Sequence, residues 1–509
     1  MSHRNLFVTM IVLVGSVLVL MASTVTGQAT NPISLSAIQP LGKPLGAPAV
    51  SPTPAYTVYL PLVIRSAASA ATPTPTQTAT VGAGTPTPTG TAVPTTPPGT
   101  QGALFLNRTF RTDSASAAVD AAGGSHLAYA RYGAMVDGNQ VYYAYCTANC
   151  GTESSWAAVM LIDRVEEVQL ALTSDGHPRL LLRGPSPDWS TDFYKYAACD
   201  TNCTSSANWT IVDVTTTAFS PVYVNSYSGH HYFALDNLDR PRFLYQNTYT
   251  EAFYVYCDTT CTSPENWLKY PVNVDIFTDA NTHPTLTFTS LGQPRITAVM
   301  GLGPTDYLAY ITCDTACNDP ASWTYAPLME RGSGHVSFVL RFTSTGQPRL
   351  VFNQGTISGT SGYLYYLWCS ADCTVNTSWA GSSVGAQGQA EDPDLALNAL
   401  NRPRIAFRSI LSPDGLGYSW CDTNCESVSA TWLGGLLEPS SDLDIEWDIL
   451  PPLNCSGSYW WDGYRPSLAL DTAGNPRIGY VAQHLHGGGS SCTVAEDFRA
   501  VRFAFFNQP

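Results

Sequence analysis

The sequence predicts an all-β protein: a seven-bladed β-propeller with four-stranded blades, closed by an N-terminal strand and preceded by a signal peptide and a Thr/Pro-rich linker. Three observations predict this fold. A Gly-x-Pro-Arg signature recurs along the chain, and a Cys-x-x-x-Cys turn followed by Trp recurs between its copies. Short apolar runs, bounded by Gly, Pro, Asp and Asn, separate the two motifs and indicate strands joined by turns. Four strands in each repeated unit of roughly fifty residues are typical of propellers.

The copies of the two motifs show how many repeated units the chain contains. The Gly-x-Pro-Arg signature, its variant without Gly and one degenerate copy that begins at Asp120 give seven first halves, which end at His126, Arg179, Arg242, Arg295, Arg349, Arg404 and Arg477. Six second halves are complete, with the pairs Cys146/Cys150, Cys199/Cys203, Cys257/Cys261, Cys313/Cys317, Cys369/Cys373 and Cys421/Cys425. A Trp follows each pair after six or seven residues.

The last unit explains how the ring closes. In the sixth unit we expect strands at 395–397, 403–408, 417–420 and from 432 onward. The seventh unit has a third strand at 500–506 but no fourth, and a spare strand, 103–110, precedes the first unit. We predict that this N-terminal strand completes the last blade, which removes two sheet edges at once. An open solenoid of β-units is the alternative.

The N-terminal region predicts export. Residues 1–27 have the charge, apolar run and small residues of a secretory signal, and an uncleaved anchor is the alternative. Residues 28–65 form a short segment, and residues 66–101 form a disordered linker of Thr, Pro, Ala, Gly and Ser. Residues 102–509 form the propeller, which we expect to be secreted or held at the cell surface. The net charge of −15 argues against nucleic acid and anionic membranes as partners, and we expect a monomer with no membrane span after signal cleavage.

Fourteen cysteines in an exported chain favour disulfides over zinc ligation. The i, i+4 spacing in a tight turn allows a bridge, and no His stands beside the pairs to complete a zinc site. Cys455 and Cys492 lie outside the pattern, in a blade-to-blade connection and a second-to-third-strand loop. Both connections open on the same face of a propeller, so we predict a Cys455–Cys492 bridge.

We call the face that carries the Gly-x-Pro-Arg and Cys-x-x-x-Cys turns the regular face, and the opposite one the irregular face. Connections of unequal length on the irregular face make it the expected binding face. The longest is the insertion 433–465, with carboxylates at alternate positions from Asp442 to Asp448. Its candidate ligand-binding residues are Trp460, Trp461, Asp462 and Tyr464. Such residues suit sugar recognition or a structural Ca²⁺ site, although no cofactor is expected. An acidic surface strand with Trp packed on the blade is the alternative.

A second candidate site follows from register. The residue eleven positions before each signature Pro is expected at the mouth of the central channel, and these residues are Ser114, Glu167, His230, His283, Ser337, Asp392 and Arg465. Two His, two carboxylates and an Arg around one ring could bind an anion or a metal, or supply acid and base groups. Solvated rim residues are the alternative. The signature arginines, one per turn on the regular face, are better explained as structural.

The run from Ser467 to Tyr480, SLALDTAGNPRIGY, resembles the repeat of secreted bacterial seven-bladed propellers with sialidase-type repeats and of propeller lectins. This resemblance covers residues 102–509 and implies the fold. The sialidase Asp-box, Ser-x-Asp-x-Gly-x-Thr-Trp, is replaced here by Asp-Thr-Ala-Gly-Asn-Pro-Arg, and no sialidase arginine triad is identifiable. The resemblance therefore does not extend to hydrolase activity.

No nucleophile, phosphate-loop or zinc-protease motif is present in the sequence. We expect a non-catalytic propeller that binds glycan or extracellular protein through its irregular face. The first alternative is a glycoside-active enzyme, sialidase-like or of another type, that uses Glu167 and Asp392 with His230 or His283. The second alternative is a structural module of the cell envelope.

Overall fold

The structure is a computed structural model. It describes residues 100–107, 111–132, 140–185, 192–214, 231–246, 252–272, 284–302, 305–330, 337–354, 362–384, 390–410, 414–440, 443, 458–486 and 498–507. The predicted signal peptide, the segment 28–65 and nearly all of the predicted linker lie outside these residues, as do Cys455 and Cys492.

Seven antiparallel sheets of four strands form the blades. Blade 1 consists of β2 (Arg111–Val119), β3 (Ser125–Tyr132), β4 (Gln140–Cys146) and β5 (Ala157–Asp163). Blade 2 consists of β6 (Glu167–Leu172), β7 (Pro178–Pro185), β8 (Asp192–Ala198) and β9 (Thr210–Asp213). Blade 3 consists of β10 (Phe233–Leu235), β11 (Pro241–Gln246), β12 (Ala252–Cys257) and β13 (Trp267–Val272). Blades 4 and 5 consist of β14 (Thr285–Phe288), β15 (Pro294–Leu302), β16 (Thr305–Thr312) and β17 (Thr324–Glu330); and β18 (Phe338–Phe342), β19 (Pro348–Gln354), β20 (Tyr363–Cys369) and β21 (Trp379–Ser383). Blades 6 and 7 consist of β22 (Ala390–Leu397), β23 (Pro403–Ser409), β24 (Gly415–Trp420) and β25 (Leu433–Pro439); and β26 (Ser458–Leu470), β27 (Pro476–His486), β28 (Phe498–Asn507) and β1 (Thr100–Asn107).

The ring closes through strand β1, as predicted. This strand pairs antiparallel with β28, in a register that matches Thr100 with Asn507 and Leu104 with Phe503. It begins three residues before the predicted start at Ala103. Because β28 would otherwise present a row of unpaired backbone groups, β1 protects an edge that could pair with another chain. The first and last strands of the propeller thus share one blade.

Each Cys-x-x-x-Cys turn is closed by a disulfide, with Cα atoms 5.7 Å apart in all six. The pairs are those expected from the sequence: Cys146–Cys150, Cys199–Cys203, Cys257–Cys261, Cys313–Cys317, Cys369–Cys373 and Cys421–Cys425. The residue before the second Cys has a left-handed backbone, with φ between 48° and 56°. Asn or Asp, which tolerate this conformation best, fill four of the six positions.

The two cysteines of a pair have different surroundings, a difference that the sequence analysis did not foresee. The first Cys of each pair is buried in the core, at the end of the third strand or directly after it. The second Cys is only partly buried, because it lies in the turn beyond the strand, and this holds for Cys150, Cys203, Cys261, Cys317, Cys373 and Cys425. Each disulfide therefore ties an outer turn to the core of its blade. These twelve cysteines have a structural role, and none of them is a free thiol.

In blades 1 to 5 a 3₁₀ turn follows the disulfide, at η1 (Glu153–Ser155), η2 (Ser206–Asn208), η3 (Pro264–Asn266), η4 (Pro320–Ser322) and η5 (Asn376–Ser378). The Trp after it connects neighbouring blades. Its indole N–H donates to the carbonyl of the second Cys, at 2.8–3.1 Å. A Tyr on the third strand of the preceding blade packs edge-on against the indole, as Tyr196 does on Trp267 with ring centroids 5.2 Å apart. The pair recurs around the ring, and Phe503 of blade 7 replaces Tyr against Trp156 of blade 1. Aromatic packing of this kind stabilises each interface beyond the apolar area it buries.

The signature arginines are bound within the regular face, in line with their predicted structural role. In blades 2 to 6 one guanidinium nitrogen donates both to the carbonyl of the adjacent Pro and to that of the first Cys. In blade 1 His126 takes the place of Arg and contacts Asp120 through Nε2, at 3.1 Å. Among the described residues, no helix is long and apolar enough to cross a bilayer.

Candidate functional site at the central channel

The first strand of each blade faces the central channel, where the sequence predicts a ring of polar residues. Five of the seven predicted residues are described, and His230 and His283 are not. Glu167 is the first residue of β6 and is 3% exposed. Its Oε2 accepts a hydrogen bond from Arg183 Nε at 2.9 Å, within the same blade. Glu167 therefore lies inside the protein in an ion pair.

Asp392 and Ser337 meet across the interface of blades 5 and 6. The Ser337 hydroxyl donates to Asp392 Oδ1, at 3.2 Å. Asp392 has a left-handed backbone with φ of 47° and lies where the pairing of β22 with β23 shifts register. Arg465 has the same conformation in blade 7, with φ of 49°, is buried and stacks over the ring of Tyr464 at 5.0 Å. The described candidates thus form separate local pairs.

A different set of channel residues lies two positions further along the strand, and the sequence analysis missed it. In four blades the residue nine positions before the signature Pro, or its equivalent, has a polar side chain that accepts a backbone N–H from the next blade. The N–H lies in the first strand of that blade or, for His231, just before it. The pairs are Ser116 with Leu170, Gln169 with His231, Asp394 with Leu468, and Ser467 with Ala117. These side chains satisfy inner-edge donors that would otherwise be unpaired inside the protein. Isolated polar residues within apolar runs were the signal that could have identified them.

Asp394 is the most connected of these residues. Its Oδ1 lies 2.8 Å from Nε2 of His231 in blade 3 and 3.3 Å from Nη2 of Arg341 in blade 5. Its Oδ2 accepts from the backbone N–H of Leu468 in blade 7, at 2.6 Å. Arg341 Nη2 also lies 3.1 Å from His231 Nδ1. Since Arg can only donate, His231 accepts at Nδ1 and its Nε2–H donates to Asp394.

The charges in this cluster depend on its burial. Burial lowers the pKa of His231, and this outweighs the attraction of Asp394. Burial alone would raise the pKa of Asp394, but the charge and hydrogen bond of His231 and the charge of Arg341 hold that pKa below its ordinary value. At neutral pH the cluster therefore consists of an ionised Asp394, a charged Arg341 and a neutral His231 with both ring nitrogens engaged.

The insertion before blade 7 is shorter than predicted, because both of its ends belong to strands. Residues 433–439 are β25, and β26 begins at Ser458. Trp460 and Trp461 are in β26 and pair with His484 and Gln483. Their side chains, like Asp442, Asp444, Glu446 and Asp448, lie outside the described part.

Asp462 is completely buried between blades 6 and 7. Its carboxyl lies near Glu438, which accepts from Arg502. Neither carboxyl oxygen of Asp462 makes a well-formed hydrogen bond with the described residues. Burial, with the charge of Glu438, raises the pKa of Asp462 well above the ordinary value, against the charge of Arg502 and the nearby backbone N–H groups of Gly463 and Leu416. The fold therefore favours the protonated form of Asp462 over its carboxylate.

Metal binding has little to support it in the described ranges. Within them, no three His, Cys, Asp or Glu side chains are grouped to hold an ion. Two carboxylates of the channel, Glu167 and Asp394, are paired with arginines, and Asp392 accepts from the Ser337 hydroxyl. The sequence expectation of a structural Ca²⁺ concerned the insertion, where most of the acidic residues are not described.

Comparisons with known proteins return propellers. No model of a protein family matches the sequence, and no curated protein is significantly similar to it. Among solved structures, a protein of unknown function from Dyadobacter fermentans is 12% identical, with 80% of this chain and 98% of that chain covered and a TM-score of 0.43. The NanB sialidase from Streptococcus pneumoniae is 10% identical, with 60% and 67% covered and a TM-score of 0.39. An α-L-arabinanase from Penicillium chrysogenum is 14% identical, with 80% and 98% covered and a TM-score of 0.37. These values do not support an inference about activity.

Proposed function

We propose that this protein is an exported, non-catalytic propeller that recognises a glycan or an extracellular protein through its irregular face. Residues 1–27 direct export, and residues 66–101 hold the propeller away from its point of attachment or from a neighbouring domain. The observation that carries the proposal is that two described carboxylates of the channel, Glu167 and Asp394, are buried in ion pairs, while Asp392 has only the Ser337 hydroxyl as a partner among the described residues.

General acid–base catalysis needs a group that can reach the substrate and exchange a proton with it. Glu167 is buried against Arg183, and Asp394 is buried against Arg341 and His231. A glycosidase also needs two carboxyl groups that flank the scissile bond. The pairs described above leave Glu167 unsuited to that role, and they favour binding over hydrolysis.

The irregular face is the proposed recognition face because the repeat leaves it free to vary. Its connections range from two residues between β15 and β16 to the long segment that precedes β26. The turns of the regular face, in contrast, repeat the same disulfide and the same arginine contacts from blade to blade. A rigid ring that presents unequal loops is a common arrangement for binding sites.

A binding screen tests the proposal. The oxidised full chain is applied to arrays of glycans and of extracellular proteins, with Ca²⁺ and again with EDTA. We expect a ligand whose binding weakens in Trp460→Ala or Trp461→Ala and not in Leu268→Ala, an exposed apolar residue of outer strand β13. Binding that neither Trp substitution changes would contradict the placement on the insertion. Absence of binding on both arrays would contradict the proposal that the propeller recognises a glycan or an extracellular protein.

A further inference from the structure

The regular face departs from its repeat at the interface between blades 5 and 6. In blades 2, 3, 4 and 6 the signature Arg bonds to the Asp after the first Cys of its own blade, at 2.6–2.8 Å. Blade 5 has Ser370 at that position, and Arg349 instead donates to Glu426 of blade 6. Among blades 2 to 6, which carry both the signature Arg and the disulfide turn, blade 5 alone has this exchange of partner.

A second departure lies directly behind the first. Blade 6 has one extra residue between its second Cys and Trp432. The indole N–H of Trp432, against which Tyr366 packs, has no acceptor among the described residues. Tyr366 and Arg349 are at most 1% exposed. Blades 1 to 5 satisfy the equivalent indole N–H through the carbonyl of the second Cys, and blade 6 does not.

A groove of about 480 Å³ opens at this interface on the regular face, within the usual size of a small-molecule site. Its lining includes Arg349, Leu400, Arg402, Asp422 and Glu426. Its two walls are fixed to each other. The Ser344 N–H donates to Asn401 Oδ1 at 2.7 Å, and Asn401 Nδ2 donates to the Ser344 hydroxyl at 2.9 Å.

The chemistry of the lining points to a neutral ligand with hydroxyl groups. Two guanidinium groups, Arg349 and Arg402, balance the carboxylates of Asp422 and Glu426. An anion would meet two carboxylates here and a cation two guanidinium groups, so either would lose much of its attraction. Hydroxyl groups donate and accept and can bond to both kinds of group.

Two further features suit a sugar ring. Glu426 is 43% exposed, and its Oε2 accepts no hydrogen bond from the described residues. Leu400, 65% exposed at the tip of its turn, provides an apolar surface beside these polar groups for the C–H face of a pyranose. We propose that this groove binds a neutral saccharide. The site does not rest on the recognition proposed for the irregular face, because it lies on the opposite face and shares no residue with it.

The test uses the oxidised full chain on an array of neutral glycans, followed by titration of the tightest-binding glycan. Leu400→Ser and Glu426→Gln are each expected to weaken binding by about tenfold or more, the effect of losing one good contact. Leu291→Ser and Asp200→Asn are the matched controls. Leu291 is 77% exposed at the equivalent turn tip of blade 4, and Asp200 is an exposed carboxylate on the signature Arg of blade 2. Both controls should bind as the wild type does.

A variant that restores the repeat separates binding from folding. Ser370→Asp with Glu426→Thr gives Arg349 the partner it would have in blades 2 to 4, and we expect it to unfold at the wild-type temperature while losing the glycan. The proposal would be overturned if the wild-type chain bound no glycan on the array. It would also be overturned if the substitutions at Leu400, Glu426 and Ser370 left glycan binding unchanged. Binding abolished only by Trp460→Ala or Trp461→Ala would belong to the irregular face and would also overturn it. Capture of unglycosylated peptides, lost in Glu426→Gln, would overturn the saccharide assignment.

Discussion

At the scale of the residue, the account depends on which side chains hold the channel together. Asp394 connects four blades, because it belongs to blade 6 and contacts His231, Arg341 and Leu468 in three others. Removing one member of a buried charge network leaves the others without compensation. Its contribution is therefore expected to be structural.

Asp394→Ala should lower the free energy of unfolding by about 3–5 kcal/mol, since it leaves the charge of Arg341 uncompensated and the Leu468 N–H without its acceptor. Denaturant unfolding of the oxidised chain measures the change. Asp314→Ala is the control, because Asp314 is 65% exposed and pairs with Arg295 at the surface, where such pairs contribute little. Equal losses in the two variants would contradict the structural role of Asp394.

Because of Asp462, we expect the stability of the folded protein to depend on pH in the opposite direction to that expected for a paired carboxylate. Its pKa is raised in the folded protein by burial and by Glu438, so the folded state binds the proton more tightly than the unfolded state. Stability is then fully present below the unfolded pKa of about 3.9 and is lost as pH rises towards the folded pKa.

Asp462→Asn should remove the loss of folding stability that Asp462 causes as the pH rises. Relative to the wild type, the variant should gain stability above about pH 4, by up to about 1.4 kcal/mol per pH unit until the folded pKa is reached. Unfolding midpoints measured from pH 4 to pH 8 give the difference. Asp200→Asn, at a carboxylate that is 69% exposed, provides the control. A difference that does not change with pH would show that Asp462 is ionised in the folded state.

Sequence reasoning identified only some of the residues that connect the blades at the channel. Alignment on the signature Pro located the first strand correctly, and it selected the position eleven residues before the Pro, where Ser114 bonds to Val168 of blade 2. A further set, including Ser116 and Asp394, lies nine residues before the Pro and was missed. Register bulges in β2, β22 and β26 shift the pairing just upstream, and no spacing rule predicts such a shift. The partners of Asp394 lie 53 to 163 positions away, which sequence pattern alone could not reveal.

At the scale of the element, the repeated unit is a disulfide turn, a 3₁₀ turn and a Trp. The indole bond to the second Cys depends on the six-residue spacing, as shown by blades 1 to 5. In blade 6 the spacing is seven residues, and Trp432 Nε1 has no partner among the described residues. One chain therefore contains both the bonded and the unbonded form of the same element.

Trp267→Phe and Trp432→Phe form a matched pair. Both replace an indole with a smaller ring, but only Trp267 loses a hydrogen bond, the one to the Cys261 carbonyl at 2.9 Å. We expect Trp267→Phe to cost about 1 kcal/mol more than Trp432→Phe, the contribution of a typical hydrogen bond. Thermal or denaturant unfolding measures the difference. Equal costs would show that the indole bond adds nothing to packing.

The strands themselves were predictable because each apolar run is short and bounded by turn residues. In blade 6 the expected second strand, 403–408, differs from β23 by one residue at its end. The first strand was expected at 395–397 but begins at Ala390, since its polar residues Glu391, Asp392 and Asp394 concealed it. Polar side chains that face a channel do not show the apolar pattern by which strands are recognised.

At the scale of the whole molecule, closure by β1 makes the ring a single unit. The strand covers β28, whose residues Val501, Phe503 and Phe506 are buried in the core. Without β1, the edge of β28 and part of the core of blade 7 would face solvent. An uncovered edge strand pairs readily with other chains.

A chain that begins at residue 111 lacks β1 and should self-associate and lose its cooperative unfolding transition. A chain that begins at Thr100 keeps β1 and is the control, with the unfolding transition of the full chain expected. Light scattering and thermal unfolding measure both properties. A monomeric, cooperatively folded chain without β1 would contradict closure by this strand.

The central claim is that the propeller binds its ligand without changing it, because Glu167 and Asp394, two described carboxylates of the channel, are held in buried ion pairs. The most direct test incubates the oxidised full chain with a glycan library, recovers the bound fraction and compares its masses with those of the starting glycans. We predict bound glycans of unchanged mass after prolonged incubation, and the same result for Glu167→Gln. Shortened or modified glycans that appear with the wild type and disappear with Glu167→Gln would contradict the claim and identify an enzyme.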